Sequence, residues 1–380
     1  MNHNDKQRLG NYLDSEQKSD PEFVVQQELV SAGLAALDPV AKAYLIGGAE
    51  SEATILRNRA AIERRALRPR VLVDVSSLSI EAQVLKRVSR MPIFLAPIGA
   101  LYRFHSEGDL AAGAAASNLQ MPMFFGSLSQ STMAEMRAAT THDAAYQLYV
   151  SGDDVWVDEQ VRKVEDHGFE ALCLTVDSAV YSRRERDLLH RFKKPWRKDL
   201  EADVMTYQAA FTWGDIGRIR NNTKLPIILK GIATPEDAKL AIEHGVDIVY
   251  VSNHGGRQLD QAQGTMDGLD EIAETVSGKV KLFVDGGFMR GTDILKALAI
   301  GADAVGIGRL YCFALAANGE AGVARMLQIL EEELMTALAL VGASSLADLT
   351  RRHVVEESFL VSQPHLFSAF PLMNENEAQA

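Results

Sequence analysis

The chain has 380 residues, 47% of them hydrophobic, and a formal net charge of -12. Its length suffices for one barrel or for two ordinary domains. The acidic balance, without blocks of Lys and Arg, argues against a nucleic-acid partner, because such binding depends on neutralising many backbone phosphates.

The cysteines and the termini indicate where the protein works. Cys173 and Cys312 both lie in apolar stretches, which leaves little material for a disulfide framework or a thiolate metal site. Residues 1–22 form a polar leader without the apolar core of a secretory signal, and we expect this leader to be flexible. The longest apolar run, residues 91–104, is shorter than the about 20 residues of a membrane-spanning helix. The sequence therefore predicts a cytoplasmic protein with no membrane insertion and no metal site.

The chain begins with a helical pattern and then changes to short apolar runs. Residues 23–46 are predicted as a helix that ends at Gly47 and Gly48. Continuously apolar runs are typical of parallel strands that are covered on both faces. Eight such runs follow, most of them separated by a segment of helical composition: residues 92–97, 121–126, 145–150, 171–176, 226–230, 247–252, 281–285 and 303–308.

Helix signals mark the segments between these runs. Thr234 is placed to cap a helix with Pro235 in its first turn, and Thr132 with Glu135 has the spacing of a capping box. Alternation of strand and helix predicts an α/β protein, a (β/α)8 TIM barrel over residues 23–370 with an N-terminal helical extension and C-terminal closing helices. A doubly wound open sheet is the alternative.

Two segments interrupt or follow the alternation. Residues 184–212, between the fourth and fifth runs, are dense in charge and predict a mobile loop over the barrel mouth. Beyond the eighth run, apolar residues at helical spacing from Val323 to Leu338 predict a closing helix. We expect the tail, residues 371–380, to fray.

Polar residues and glycines that follow the apolar runs are the candidates for chemistry. A barrel carries its reactive groups at the carboxyl ends of its strands, so these residues are expected to face one cavity. They are Pro97, Gly99, Ser127, Gln147, Tyr149, Thr175, Asp177, Lys230, Ser252, His254, Arg257, Asp285, Gly286, Gly287, Gly308 and Arg309.

His254 is the candidate base. A histidine beside two glycines at a strand end approaches a ligand closely, and its near-neutral pKa suits proton abstraction. Arg257, three residues further along the chain, can bind a carboxylate through two parallel N–H donors of its guanidinium group. Asp177 is suited to fix the tautomer of the imidazole. The alternatives are a histidine bonded for structure and an aspartate that caps a helix or turn.

Two further groups indicate an anionic or electron-rich ligand. Lys230 ends a buried run, where its charge needs a negative partner, either a reduced flavin or a neighbouring acid in a structural ion pair. Gly286, Gly287, Gly308 and Arg309 belong to the last two units, where barrels often bind phosphate, although the glycines also suit tight turns.

The motifs and their order resemble those of the FMN-dependent L-2-hydroxy acid oxidase and dehydrogenase family, which includes glycolate and lactate oxidases, lactate monooxygenase and mandelate dehydrogenase. The resemblance covers about residues 23–360, and it rests on LAP, QLYV, LTVD, ILKG, SNHGGRQLD, DGG and IGR. It implies FMN as cofactor, oxidation of an L-2-hydroxy acid to the 2-keto acid, and a homotetramer. O2 is the preferred electron acceptor. Alternatives are a dehydrogenase that uses a quinone or another carrier, a decarboxylating monooxygenase, a flavin-dependent isomerase of a diphosphate, and a flavin-binding scaffold without activity.

The resemblance also implies a role for individual residues. His254 removes a proton, Asp177 stabilises the resulting imidazolium, and Lys230 lies next to N1 and O2 of the flavin. The substrate-binding positions are Tyr44, Tyr149, Arg184 and Arg257, with Leu128 beside them. The positions lining FMN are Pro97, Ile98, Gly99, Ser127, Gln147, Thr175, Lys230, Ser252, Asp285, Gly286, Gly287, Gly308 and Arg309.

One departure from the family pattern concerns the cofactor phosphate. Met289 stands where relatives commonly have an arginine that contacts the cofactor phosphate. Losing that contact weakens FMN binding by about 1.5 to 3 kcal/mol. The adjacent Arg290 is predicted to compensate as a cofactor-binding residue.

Other departures concern the substrate side. Leu128 replaces a bulky aromatic of glycolate oxidase, which predicts a larger or more apolar side-chain pocket unless Tyr181 and Met123 refill it. Gly99 replaces the alanine of several oxidases, and the size of this residue near the flavin influences how the family reacts with oxygen. The resemblance therefore leaves the identity of the electron acceptor undecided.

Overall fold

Eight parallel strands form a closed barrel at the centre of the computed structural model, which describes residues 22–192, 204–357 and 365–373. Each strand pairs with the next in chain order, and the last closes the ring against the first. The strands are β1 Ile93–Leu95, β2 Met123–Gly126, β3 Ala144–Leu148, β4 Ala171–Thr175, β5 Ile227–Ile232, β6 Ile248–Val251, β7 Lys281–Val284 and β8 Ala304–Ile307. Every predicted apolar run forms one of them, so the barrel is confirmed and the open sheet is wrong.

The apolar runs form strands because both of their faces are buried. Inside the barrel, aromatic rings from four strands fill the lumen: Phe94 stacks on Phe124 with centroids 4.3 Å apart, and Tyr250 meets Phe94 edge-on at 5.3 Å. Phe283 completes this layer. The outward residues pack against the surrounding helices, so the lumen is a packed core and not a channel.

Helices follow most strands and cover the outside of the barrel. Thr132 and Thr234 cap their helices as predicted, and Thr132 forms a full capping box with Glu135. A two-stranded ribbon, Arg65–Leu67 with Val354–Glu356, lies apart from the barrel sheet. The helices are α1 Gln26–Ala36, α2 Pro39–Ile46, α3 Ala53–Glu63, α4 Gly108–Asn118, α5 Met133–Ala138, α6 Asp154–Asp166, α7 Glu185–Leu189, α8 Val204–Ala210, α9 Trp213–Asn222, α10 Pro235–Glu243, α11 Thr265–Val276, α12 Gly291–Ile300 and α13 Arg309–Leu340.

The N-terminal extension differs from the single helix predicted over residues 23–46. It consists of α1 and α2, which are separated because Asp38 is extended and caps α2 with its carboxylate. The carboxylate accepts hydrogen bonds from the backbone N–H groups of Val40 and Ala41 at 2.8 and 2.9 Å. Pro39 occupies the first turn, where its missing N–H costs nothing.

The segments predicted to be irregular are partly helical. Residues 184–212 contain α7 and α8 and end at the residue that precedes α9. Residues 193–203 lie outside the described part, as do residues 1–21 of the leader and 374–380 of the tail. The predicted closing helix is confirmed in α13, which is interrupted at Asn318 and Gly319. Within the described ranges, no helix combines the length and the apolar character needed to cross a membrane.

Candidate active site

A deep pocket opens at the carboxyl ends of the barrel strands, where the sequence predicts the reactive groups. The predicted site residues that line it are Tyr44, Pro97, Ile98, Gly99, Leu128, Tyr149, Arg184, Lys230, His254, Arg257, Asp285, Gly286, Gly287, Gly308 and Arg309. They come from α2 and from the ends of strands along the whole barrel, so the pocket exists only once the ring has closed.

His254 lies at the centre of a short hydrogen-bonded chain. Its Nδ1 is 3.0 Å from Oδ1 of Asp177, and its Nε2 is 3.3 Å from the hydroxyl of Tyr149. Burial lowers the pKa of His254 below its usual value, although Asp177 opposes this shift. Burial works against ionisation of Asp177, but its interactions with His254 and with the charge of Lys230 outweigh burial and hold the pKa of that carboxyl below its usual range. The pair is therefore a neutral imidazole bonded to a carboxylate, which is the starting state of a general base.

The loop that carries His254 has an uncommon backbone. His254 itself has a φ of +59°, in the left-handed region that non-glycine residues rarely adopt, and Gly255 and Gly256 follow at +63° and +77°. The loop is held by Asn253, whose side-chain amide exchanges two hydrogen bonds with that of Asn58, at 3.0 and 2.7 Å. Asn58 lies on α3, before the barrel begins, and the sequence analysis missed it because no motif marks a residue so far from the strand ends.

Two guanidinium groups share the same side of the pocket. Arg257 donates from Nη1 to the carbonyl oxygens of Tyr44 and Gly47 at 2.6 and 2.8 Å, while its Nη2 is buried without a hydrogen-bond partner among the described residues. Arg184 donates from Nη1 to the hydroxyl of Tyr181 at 2.7 Å. Neither forms an ion pair with a carboxylate of the described part, and burial together with the charge of Arg257 lowers the pKa of Arg184.

Lys230 and two buried polar side chains surround the deep end of the pocket. The ammonium of Lys230 donates to Oγ of Ser252 at 2.9 Å and lies 3.8 Å from Oδ2 of Asp285. Burial works against its charge, but Asp285 and Asp177 raise the pKa of Lys230 above its usual value. Nε2 of Gln147 and Oγ1 of Thr175 are buried and have no hydrogen-bond partner in the described ranges. Leaving such groups unpaired costs about 1 to 3 kcal/mol each, so this wall suits a ligand that offers both donors and acceptors.

Two glycines with positive φ and a third guanidinium also line the pocket, and that guanidinium, of Arg309, lies beside Arg257, because both donate to the carbonyl oxygen of Gly47. Gly286 and Gly287 have φ values of +107° and +92°, a backbone conformation that would be strained in a residue with a side chain. Arg309 starts α13, and its guanidinium bonds three carbonyl oxygens, those of Leu45 at 3.0 Å, Gly47 at 2.9 Å and Gly255 at 2.8 Å. Burial, reinforced by Arg257, lowers the pKa of Arg309 to about 9. A cation that lacks a counter-ion beside a helix N-terminus favours an anion here.

Several predicted residues do not line the pocket, and one of them is misplaced. Ser127, whose Oγ accepts from the backbone N–H of Tyr149 at 3.3 Å, supports the wall from behind, as do Asp177, Gln147, Thr175 and Ser252. The prediction for Arg290 needs correction: its guanidinium pairs with Glu333 at 2.8 Å and donates to the carbonyl oxygen of Ala369 at 3.2 Å, away from the pocket. Met289 does line the pocket and is only 2% exposed.

The substrate side of the pocket is partly refilled. Leu128 and Tyr181 both line it, whereas Met123 is fully buried in β2 and does not, so the prediction for Met123 is wrong. Met123 opens its strand, at the end opposite the pocket. A methyl group on Gly99 would lie 3.0 Å from Cβ of Leu128, so these two residues set the width of the pocket together.

Gln208 is a pocket residue that the sequence analysis missed. It lies on α8, in the stretch predicted as a loop, and its buried amide joins the ends of two strands. Its Oε1 accepts from the backbone N–H of Val150 at 2.6 Å, and its Nε2 donates to the carbonyl oxygen of Thr175 at 3.1 Å. Among the described residues, no group of three or more His, Cys, Asp or Glu is arranged to hold a metal ion.

Comparison with known proteins agrees with the fold. Glycolate oxidase 3 of Oryza sativa subsp. indica is 39% identical over 343 residues, covering 85% of this chain and 94% of the relative. L-lactate oxidase of a Nostoc species is 39% identical over 338 residues, covering 82% and 93%. A crystal structure of mandelate oxidase with 3,3-difluoro-2-hydroxy-3-phenylpropionic acid superposes with a TM-score of 0.82 at 36% identity, covering 88% of this chain and 100% of that one. Residues 35–356 match the family described as FMN-dependent dehydrogenase, and the chain belongs to that family.

Proposed function

We propose that the protein oxidises an L-2-hydroxy acid to the 2-keto acid with His254 as the base and O2 as the final electron acceptor. The observation that carries the proposal is the unpartnered Nη2 of Arg257, which shares the pocket with Arg184 and His254. Two guanidinium groups without a carboxylate partner suit a carboxylate ligand, and a neutral imidazole beside them suits proton abstraction.

The residues of the pocket also fit the ring and the phosphate of FMN. The Lys230 ammonium lines the pocket, and the unpartnered polar atoms of Gln147 and Thr175 lie on the adjoining strands, a set that suits a heteroaromatic ring edge with donors and acceptors. Gly286, Gly287 and Arg309 match a phosphate. The remaining cofactor positions that we propose are Pro97, Ile98, Gly99, Ser127, Ser252, Asp285 and Gly308.

The substrate is held by its carboxylate and presented to the base. Arg257 binds the carboxylate through Nη2 while Nη1 stays on the backbone of α2, and Arg184 contributes the second guanidinium. Tyr44 and Tyr149 supply hydroxyl groups beside them, and the hydroxyl of Tyr149 is already within 3.3 Å of His254.

His254 then takes the proton of the substrate hydroxyl at Nε2. Asp177 lies 3.0 Å from Nδ1 on the far side of the ring, so its charge stabilises the imidazolium that forms. When bound, FMN supplies the acceptor for two electrons and the hydrogen of the substrate α-carbon. The Lys230 ammonium provides fixed positive charge at the deep end of the pocket, where such charge favours a reduced ring.

O2 as acceptor is supported by the relatives, which are named glycolate oxidase and L-lactate oxidase. An oxidase releases one H2O2 for each 2-hydroxy acid oxidised. A related solved structure is named (S)-mandelate dehydrogenase, so a dehydrogenase that passes electrons to a quinone or another carrier is the second candidate.

The test is anaerobic reduction followed by air. Purified protein with FMN bound is mixed with glycolate, L-lactate, L-mandelate or a longer L-2-hydroxy acid, and the flavin absorbance is followed. Bleaching and rapid recovery in air with one equivalent of H2O2 are expected. Slow recovery would contradict the oxidase, decarboxylated product would indicate a monooxygenase, and no bleaching by any acid would contradict the proposed function.

We further propose that the protein is a homotetramer and works in the cytoplasm. Support for assembly comes from a run of exposed apolar side chains, Val71, Leu72 and Val73, of which Leu72 is fully exposed. The exposed Leu340 lies near this run in the fold, since the backbone N–H of Arg70 donates to the carbonyl oxygen of Val341 at 3.0 Å. Such patches are typical of interfaces. Light scattering should give four copies, and Leu72→Asp should reduce the mass while Val155→Asp, at an exposed valine on α6, should not. A monomeric wild-type protein would contradict this proposal.

A further inference from the structure

Tyr250 is a polar residue in the most apolar part of the barrel. It is fully buried on β6, and its ring lies among those of Phe94, Phe124 and Phe283. A phenylalanine would fill the same space without a hydroxyl that requires a partner. Burial, with the nearby charge of Asp285, raises the pKa of Tyr250 well above its usual value, so the hydroxyl keeps its proton.

The hydroxyl of Tyr250 reaches from the barrel core to the floor of the pocket. It donates to Oδ2 of Asp285 at 2.8 Å, and Asp285 lines the pocket. Space for it is left by Gly306, where an added Cβ would lie 2.5 Å from the hydroxyl oxygen. No motif of the sequence singles out Tyr250, and the chemistry derived above does not use it.

This hydrogen bond bears on how Asp285 and Lys230 interact. The Lys230 ammonium is 3.8 Å from the same Oδ2, longer than the about 2.7 to 2.9 Å of a hydrogen-bonded ion pair, and its hydrogen bond is to Ser252 instead. Oδ1 of Asp285 is buried without a hydrogen-bond partner in the described part of the chain. Tyr250 thus holds one carboxylate oxygen, and both Oδ1 and the lysine are left for a ligand.

We propose that Tyr250 is a positioning residue of the cofactor site, one that keeps Asp285 from closing onto Lys230. Held this way, Oδ1 of Asp285 accepts from hydroxyl groups such as those of the FMN side chain, and the charge of Lys230 faces the flavin ring. Without the phenol, the attraction between two opposite charges 3.8 Å apart in a buried site draws them into contact. Both groups would then be less available to FMN. The inference rests on FMN as the cofactor of the proposed function.

The test is Tyr250→Phe, which removes one oxygen atom and keeps the ring. FMN affinity is measured by titrating apoprotein and following flavin fluorescence, and the midpoint potential of bound FMN is measured separately. We expect about tenfold weaker FMN binding, the effect of disturbing one charge-assisted hydrogen bond, and a more negative potential. Tyr311→Phe is the matched control, because that tyrosine is also fully buried and its hydroxyl donates to the carbonyl oxygen of Ala96 at 2.9 Å. An affinity and a potential that match wild type, or that match Tyr311→Phe, would overturn the proposal.

A double-mutant cycle separates positioning from packing. If Tyr250 acts through Asp285, Tyr250→Phe has little further effect on FMN affinity in an Asp285→Asn background. An undiminished effect there would mean that the phenol acts by packing and would overturn the proposal. Should Tyr250→Phe fail to fold, Gly306→Ala provides a second route, because its methyl group would lie 2.5 Å from the hydroxyl oxygen; since Gly306 also lines the pocket, the effect supports the proposal only if it diminishes in the Asp285→Asn background, and an undiminished effect there would overturn it. Wild-type apoprotein that binds no FMN would instead contradict the cofactor itself.

Discussion

Replacing Asp177 by asparagine tests the proposed role of the charge behind the base. The asparagine carbonyl can still accept the hydrogen bond from Nδ1 of His254, which is 3.0 Å from Oδ1 in the wild type. The orientation of the ring is therefore kept, and what is lost is the negative charge opposite the imidazolium. Because Asp177 contacts neither Arg184 nor Arg257, binding of the substrate carboxylate should not change.

The size of the effect follows from the type of contact. A hydrogen bond to a charged group contributes about 1.5 to 3 kcal/mol, and each 1.4 kcal/mol corresponds to a factor of ten. Asp177→Asn should thus slow flavin reduction by about 10- to 150-fold with little change in the substrate dissociation constant. Anaerobic stopped-flow reduction over a range of substrate concentrations gives both quantities. A limiting rate of flavin reduction within twofold of wild type would refute the role of Asp177. A change confined to the substrate dissociation constant would instead show that Asp177 acts in binding the substrate carboxylate.

The pH dependence provides a second readout of the same pair. His254 must be neutral to act as base, so activity is present above its pKa and is lost as the pH falls through it. Burial lowers that pKa, so the acidic limb in the wild type should lie below 6.5, the ordinary value. Asp177 is the main influence that raises it, so Asp177→Asn should move the limb to still lower pH while the maximal rate falls. Movement of the limb toward higher pH would contradict this assignment.

Three further changes test other parts of the pocket and fold. Arg257→Lys should lower kcat/KM by about 10- to 150-fold, mainly through KM in steady-state assays, because an ammonium cannot serve both the α2 carbonyls and a carboxylate fork. Met289→Arg should tighten FMN binding about tenfold in apoprotein titrations and leave riboflavin binding unchanged, because it adds a cation to the glycine-rich end of the pocket. Asp109, bonded to Ser129, has its pKa raised by burial from 3.8 to about 6, so its ionisation destabilises the fold progressively between these values. In urea denaturation, Asp109→Asn should therefore stabilise the protein by up to about 3 kcal/mol above pH 6, an advantage that declines toward pH 4; a constant advantage would contradict the assignment.

The barrel and the residues at its strand ends could be predicted because both follow from local patterns. Each apolar run is long enough to form a strand, and a residue placed just after it, such as His254 or Arg257, must lie at the mouth once the ring closes. The contact between His254 and Asp177 could be predicted in the same way, because each residue follows a strand of the barrel. The break at Asp38 was also encoded locally, in the Asp-Pro pair, but the apolar stripe on both sides concealed it.

The supporting residues could not be predicted, because they act across large separations in the chain. Asn58 holds the His254 loop from a helix that precedes the barrel, and Gln208 joins two strand ends from a charged stretch that lacks strand or motif signals. Arg290 shows the opposite error. Its position beside Met289 suggested that it replaces the phosphate-binding arginine missing there. Side chains of adjacent residues at the start of a helix point in different directions, however, and Arg290 forms an ion pair with Glu333.

Charge balance explains why this pocket is built for ligands that the fold itself does not supply. Four cations line it, those of Lys230, Arg184, Arg257 and Arg309, whereas Asp285 is the carboxylate among its described lining residues. Asp177, Asp187 and Glu52 act on these groups from outside the lining. The residues that line the pocket thus carry more positive than negative charge, inside a chain whose net charge is -12. Burying unbalanced cations is costly, and backbone carbonyls offset only part of that cost for Arg257 and Arg309. The phosphate of FMN and the carboxylate of the proposed substrate supply negative charge to this cluster of cations, so the charge of the pocket itself favours an anionic cofactor and an anionic substrate.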